Sequence, residues 1–270
     1  MWFQLWIYVG SIILSFLSHF SYYENDPSCK VSVDETIDAC ASQVTLKVDE
    51  GFSNYTWNSG VTEKSITVNT SGTYYWETIN MTDNKVVNGS FENTDHYSGF
   101  SSSYQLNPTS LLSEGTYAVV TDPNRVHHDF AQIGDHTSGT GYMMVVNGSK
   151  KANVSVWQES VTVSPNTDYI FSIWATSVNP ANPGVLTFSI NGRNIGNIIL
   201  SEVQGQWQNF TARWTSGSGD TRASIGIVNQ NIVASGNDFA IDDIQFGSVC
   251  RKTFYVRLHP SPPKPGIDPI

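Results

Sequence analysis

Two adjacent carboxylates, Asp242 and Asp243, sit inside the apolar run FAIDDIQF at 239–246. A charge in an apolar strand is costly unless something cationic meets it. Strand alternation places Phe239, Ile241 and Asp243 on one face, and Ala240, Asp242, Ile244 and Phe246 on the other. Two further acids belong with this pair: Glu92, which ends VVNGSFE at 86–92, and Asp135, in the glycine-rich turn GDHTSGTG at 134–141. A hard cation takes about six to eight oxygens from carboxylates and carbonyls, often supplied by distant segments. Glu92, Asp135, Asp242 and Asp243 are thus candidate ligands for calcium. The competing reading is that they accept backbone hydrogen bonds and cap turns.

A second set of residues is aromatic. Sugars are commonly held by a flat aromatic platform with a few polar side chains. In DYIFSIWATSV (168–178), Tyr169, Phe171, Ile173 and Ala175 share one face and are predicted core, leaving Trp174 opposite with Ser172 and Thr176. Trp157 alternates likewise with Ser155 and Glu159, opposite Val154 and Val156. Trp174 and Trp157 are therefore candidate platforms, with Tyr104, His127 and Asn179 as candidate loop contacts. The competing reading of either tryptophan is packing beneath a neighbouring loop. Trp207 and Trp214 are assigned to packing. His127, His128 and Asp129, with His136, could suggest a metal or a nucleophilic site. Adjacent histidines in a strand point to opposite faces, and neither an H-x-x-x-H helix nor a G-x-S-x-G elbow accompanies them, so a solvated loop is the reading taken.

These residues need strands to position them. The chain has 270 residues, enough for one or two domains, and is 14% charged and 12% aromatic with much Ser, Thr, Asn and Gly. That profile suits a β-rich exported protein. Net charge is −10, from 24 acids against 14 bases, with no Lys/Arg run, which argues against nucleic acid as a partner. The apolar run at 2–20 predicts an export signal or membrane anchor within 1–22, with any membrane contact confined to it. Three cysteines allow at most one disulfide within a monomer.

After a predicted linker at 23–39, short alternating segments follow: VTL, YTWNSG, SITV and SGTYYW, punctuated by Gly and Asn turns. From 86 on, alternating runs continue through GTYAVVT (115–121), GYMMVVN (141–147), 152–163, 168–178, 185–190, 207–214, 223–229 and 239–246. Asn191-Gly192 is a hairpin turn signal. Nothing carries helical period, so the expected class is all-β, an antiparallel sandwich. KTFYVRL (252–258) is a further strand, and HPSPPKPGIDPI at the C-terminus an extended proline-rich tail.

The segments at 40–85 resemble bacterial immunoglobulin-like repeats. The block at 86–248, opening on an NGxFE-type segment and closing on DDI, resembles the jelly-roll carbohydrate-binding-like modules that accompany such repeats in large surface proteins of gliding bacteria. The resemblance implies a galactose-binding-like jelly roll and a structural calcium pinning its first strand to its last, with Asp242 matching the first acid of DDI. It implies a non-catalytic module that binds glycan or polysaccharide in a secreted or cell-surface protein, with further domains of that protein as partners. It also implies cysteines just before GDHT and shortly before the WQ strand, where Ile133 and about Gly205 stand here. The alternatives are a structural spacer in an adhesin and, less favoured, a glycoside hydrolase, which would need two carboxylates facing across a cleft.

With too few strands at 40–85 to close a sandwich, 249–259 is expected to return to it, so that the jelly roll follows or is inserted into a small immunoglobulin-like sandwich. Cys40 and Cys250 would then be neighbours able to pair, leaving Cys29 over. The competing pair is Cys29 with Cys40.

Overall fold

The computed structural model describes residues 34–49 and 55–259; the apolar run at 2–20, Cys29 and the proline-rich tail fall outside these. The N-terminal part contributes β1 (Glu35–Ala39), β2 (Val44–Lys47), β3 (Tyr55–Trp57), β4 (Ser65–Val68) and β5 (Gly72–Ile79). Next come β6 (Gln105–Leu106), β7 (Thr116–Val120), β8 (Met143–Asn147), β9 (Ser155–Thr162) and β10 (Asp168–Asn179). Then follow β11 (Val185–Ile190), β12 (Arg193–Ile199), β13 (Gln208–Thr215), β14 (Arg222–Asn229) and β15 (Asp238–Leu258). A nine-stranded sheet runs β13-β10-β15-β8-β7-β6, with β5, β3 and β1 attached through β15. A four-stranded sheet, β12-β11-β14-β9, covers one face of it, and β2-β4 form a pair apart. The class is all-β.

Between the two large sheets lies a core that includes Trp157, Phe171, Phe188, Phe239 and Phe246, each fully buried. Leu46, Trp57, Val68, Trp76, Phe254 and Val256 form a separate core in the N-terminal part. The outer face of the large sheet is also apolar around Ala118, Met143, Val145 and Ala240, and Val126 and Phe130 cover it.

β15 joins these cores. At 21 residues it extends about 70 Å at a strand's usual rise, more than one sandwich needs. Its first half pairs with β10 and β8, and its second with β5 and β1. KTFYVRL is therefore not a separate strand but the second half of this one.

Several expectations are corrected. Within the predicted linker, 35–39 forms a strand, because Ile37 packs on the N-terminal core while Thr36 and Asp38 stay on the ladder opposite Tyr255 and Arg257. The opening segment at 86–92 is not a strand: Asn88 and Phe91 have φ of 59°, and the Asn88 side chain bonds the carbonyls of Asp95, His96 and Ser98. It still lies along β15, since Ile244 N–H donates to Gly89 O at 2.9 Å. A Cβ on Gly89 would lie 1.9 Å from Ile244 O, so only glycine fits there.

The strict alternation expected through FAIDDIQF is broken as well. Asp243 has φ 49°, a left-handed conformation that Asp tolerates better than most residues. Register slips there, Ser172 facing Gln245 but Trp174 facing Asp242. This bulge turns Ile244 and Phe246 back into the core with Phe239 and Ile241.

Cys40 is a free, exposed thiol and Cys250 is disulfide-bonded, so the expected Cys40–Cys250 pair is not made. Ile133 and Gly205, where the resemblance implied cysteines, are neighbours: a Cβ on Gly205 would lie 2.8 Å from Ile133 Cγ2.

Candidate functional site

Trp174 stands on the outer face of β10, half-buried, while Tyr169, Phe171, Ile173 and Ala175 point into the core. It lines a groove of about 600 Å³ between the large sheet and the N-terminal part. β10 contributes Ile170, Ser172 and Trp174 to the groove, and β13 contributes Asn209, Thr211 and Arg213. Tyr55, Thr56 and Thr62 form the facing wall, with Glu77 beside them on β5. The volume falls in the usual range for small-ligand sites.

The polar side chains here are already ordered. Asn209 Nδ2 donates to Ser172 Oγ at 3.0 Å and to Ile173 O at 3.2 Å, and Thr211 Oγ1 donates to Asn209 Oδ1 at 2.7 Å. Arg213 bonds both oxygens of Glu77, at 2.9 and 2.8 Å, and Arg251 holds the same carboxylate. Arg213 also reaches Asp168, whose carboxyl it holds below the usual carboxylate range. Two cations and two anions thus balance at this end. One face of Trp174 is covered by His136, stacked at 3.9 Å between centroids and 16° between planes, and Trp207 meets His136 edge-on.

The acidic set gathers on the loop at 134–142. Asp242 is fully buried; its Oδ2 accepts the N–H of His136 at 2.9 Å and of Thr137 at 3.1 Å, and its Oδ1 accepts Asp243 N–H at 2.8 Å. Burial outweighs these bonds and, with the Asp243 charge, pushes its carboxyl up to about 8. Asp243 is taken by His136 Nδ1 at 2.6 Å and Thr137 Oγ1 at 2.8 Å. Asp135 accepts Ser138 N–H at 2.8 Å and Gly141 N–H at 2.6 Å, and Glu92 accepts Tyr142 N–H at 2.5 Å. All four carboxylates hold the same loop.

They do not close on one point. Among the described residues, the His, Cys, Asp or Glu set whose ligand atoms all lie within 4.8 Å of one another is His127, His128 and Asp129. Those histidines lie in a turn rather than a strand, with parallel rings 5.3 Å apart, so the opposite-faces argument does not apply to them. His127 stacks on Phe130 at 4.2 Å, and burial lowers its pKa.

Three of the other candidate contacts are placed elsewhere. Trp157 is fully buried. Ser155, Trp157 and Glu159 do share a face, but that face is the inner one, and Glu159 reaches the rim to accept Val87 N–H at 3.1 Å. A bulge in β9, where Ile227 and Val228 of β14 pair with Trp157 and Ser155 and Val156 is the extra residue, leaves Val156 buried as well. Tyr104 is buried, its hydroxyl accepting Ser149 N–H at 3.1 Å. Asn179 pairs with Asp238 at the far end of β10. Asn209, Thr211 and Arg213 were not singled out from sequence, although the outward phase of QNFTARWT carries all three.

No family model matches the chain, and no curated protein matches it. Among solved structures, an arabinose-bound α-L-arabinofuranosidase is similar at TM-score 0.45 and 11% identity, over 62% of this chain and 26% of that one. The chain thus spans about a quarter of that enzyme. The CBM22-1–GH10 modules of a Clostridium thermocellum endo-1,4-β-D-xylanase, complexed with xylohexaose, are similar at TM-score 0.41 and 14% identity, over 62% and 29% of the two chains. A family 16 carbohydrate-binding module is similar at TM-score 0.35 and 19% identity, over 60% and 99%. At these scores and identities no ligand or activity passes from those proteins to this one.

Proposed function

We propose that the protein is a non-catalytic carbohydrate-binding module, secreted or at the cell surface, that takes a neutral glycan or polysaccharide chain in the Trp174 groove. The observation that carries this is the half-exposed Trp174 beside the ordered Ser172–Asn209–Thr211 row within one groove of about 600 Å³. A flat apolar ring next to hydroxyl and amide groups suits the apolar face and hydroxyl edge of a sugar. The balanced Arg213–Glu77–Arg251–Asp168 network favours an uncharged ligand. Glu77, the carboxylate lining the groove, is held by two arginines, which suits binding better than hydrolysis by a carboxylate pair. Affinity electrophoresis against neutral polysaccharides tests the reading: wild type is retarded and Trp174→Ala migrates unretarded at unchanged fold. Equal migration of both proteins in every gel contradicts it and leaves the rigid-spacer reading, which the shared β15 favours.

Calcium is part of the proposal. Asp242 is buried without a Lys or Arg ion-pair partner among the described residues, and the donors are hard oxygens suited to calcium. As placed, the ligand atoms of Asp242, Asp135 and Glu92 do not all come within reach of one ion, so binding would have to draw these three carboxylates together, with Asp243 left to His136. The ion's role would be to pin the 134–142 loop, and through His136 the covered face of Trp174.

A further inference from the structure

A second group of oxygen-bearing side chains meets at Gly148, where β8 ends and β15 begins. Gly148 N–H donates to Asp238 Oδ1 at 3.0 Å. A Cβ on Gly148 would lie 1.9 Å from Asn237 Oδ1. Gly115 N–H reaches the carbonyls of Asn147 and Gly148, at 3.0 and 3.2 Å, which brings Glu114 to the same corner. The ladder pairing Phe239 with Val146 sets Asp238 opposite Asn147. Tyr104 lies beside them, its phenol pushed up to about 12 by burial above all, with the Asp238 and Glu114 charges adding to it.

Three acceptors here are buried without a donor: Glu114 Oε2, Asn147 Oδ1 and Asn237 Oδ1. Asn147 is 5% exposed and Asn237 fully buried. Neither amide gains by turning, because Asn147 Nδ2 already donates to Leu111 O at 2.6 Å and Asn237 Nδ2 to Asn231 O at 2.9 Å. Buried acceptors without donors are rare because they cost stability. The charge, too, is compensated only in part. Lys150 acts on Glu114 from the exposed rim, and neither Glu114 nor Asp238 makes an ion pair among the described residues. A water would supply two hydrogens but no charge.

We propose that Glu114, Asn147, Asn237 and Asp238 form a site for a hard divalent cation, calcium by the preference of that ion for carboxylate and amide oxygens. It is separate from the Asp242 loop and does not depend on sugar binding. The test is calorimetric titration of the chelator-stripped full chain with calcium alone, in wild type, Glu114→Gln, Asp238→Asn and Asp242→Asn. Asp242→Asn is expected to keep one binding event. Glu114→Gln is expected to weaken that event about ten-fold or more, as ligand charge tunes calcium affinity, while its metal-free Tm stays at or above wild type. Terbium excited through tyrosine gives a second readout, with emission lost in Glu114→Gln and kept in Asp242→Asn. Calcium isotherms unchanged by both Glu114→Gln and Asp238→Asn would overturn the proposal, as would a wild type that binds no calcium.

Discussion

Glu159 is a residue whose burial leaves a pH signature. Its carboxyl is pushed from an ordinary 4.5 up to about 7, by burial first and against the Val87 N–H bond. Below pH 4.5 both folded and unfolded chains hold this proton. Between about 4.5 and 7 the unfolded chain releases it and the folded chain keeps it. Stability from this group therefore falls as pH rises across that window and levels off above it. Glu159→Gln should flatten that part of the stability–pH curve in urea titrations, and an unchanged slope would show that Glu159 is ionised in the fold.

Trp157 and Trp174 looked alike in sequence, each on a polar-looking phase, and differ in the fold. Trp157→Ala should cost roughly 3–5 kcal/mol, the range for a core aromatic, and Trp174→Ala clearly less. The alternation of β10 was legible because its inner face, Tyr169, Phe171, Ile173 and Ala175, is apolar without a break. That of β9 was not, because Glu159 is a buried polar residue at a rim, and period-two reasoning reads it as exposed.

At the scale of elements, β15 and the 134–142 loop carry the account. One continuous strand belongs to two cores, and Glu77 on β5 bonds Arg213 on β13 and Arg251 on β15. Calorimetry should therefore give one melting transition; two resolved transitions would show that the strand does not couple the cores. Calcium at about a hundred times its Kd should raise Tm by roughly 5–10 °C over chelated protein. Asp242→Asn should remove the part of that rise that belongs to the loop, and a Tm indifferent to both EDTA and Asp242→Asn would end the calcium reading there. Both halves of β15 were legible as apolar alternating runs. Their continuity was not, because the sequence between them, GSVCR, is neutral about turning. The bulge was equally hidden, since Asp permits a positive φ without demanding it. Asn88 misled for a similar reason: VVNGSFE alternates like a strand, but its Asn-Gly step and a side chain that caps three carbonyls fold it into a turn.

For the molecule as a whole, the groove exists because the N-terminal part is held against the outer face of β10 and β13 by the shared strand. Sequence named the floor, Trp174, and missed the wall, since Tyr55, Thr56 and Thr62 reach the groove only through that long-range placement. The central claim is that this groove binds a neutral glycan on Trp174, and affinity electrophoresis of wild type, Trp174→Ala and Trp157→Phe in polysaccharide gels tests it most directly. The account predicts retardation of wild type and of Trp157→Phe in at least one neutral polysaccharide, and its loss in a folded Trp174→Ala. Retardation of Trp174→Ala equal to wild type, with the same polysaccharide, would contradict it.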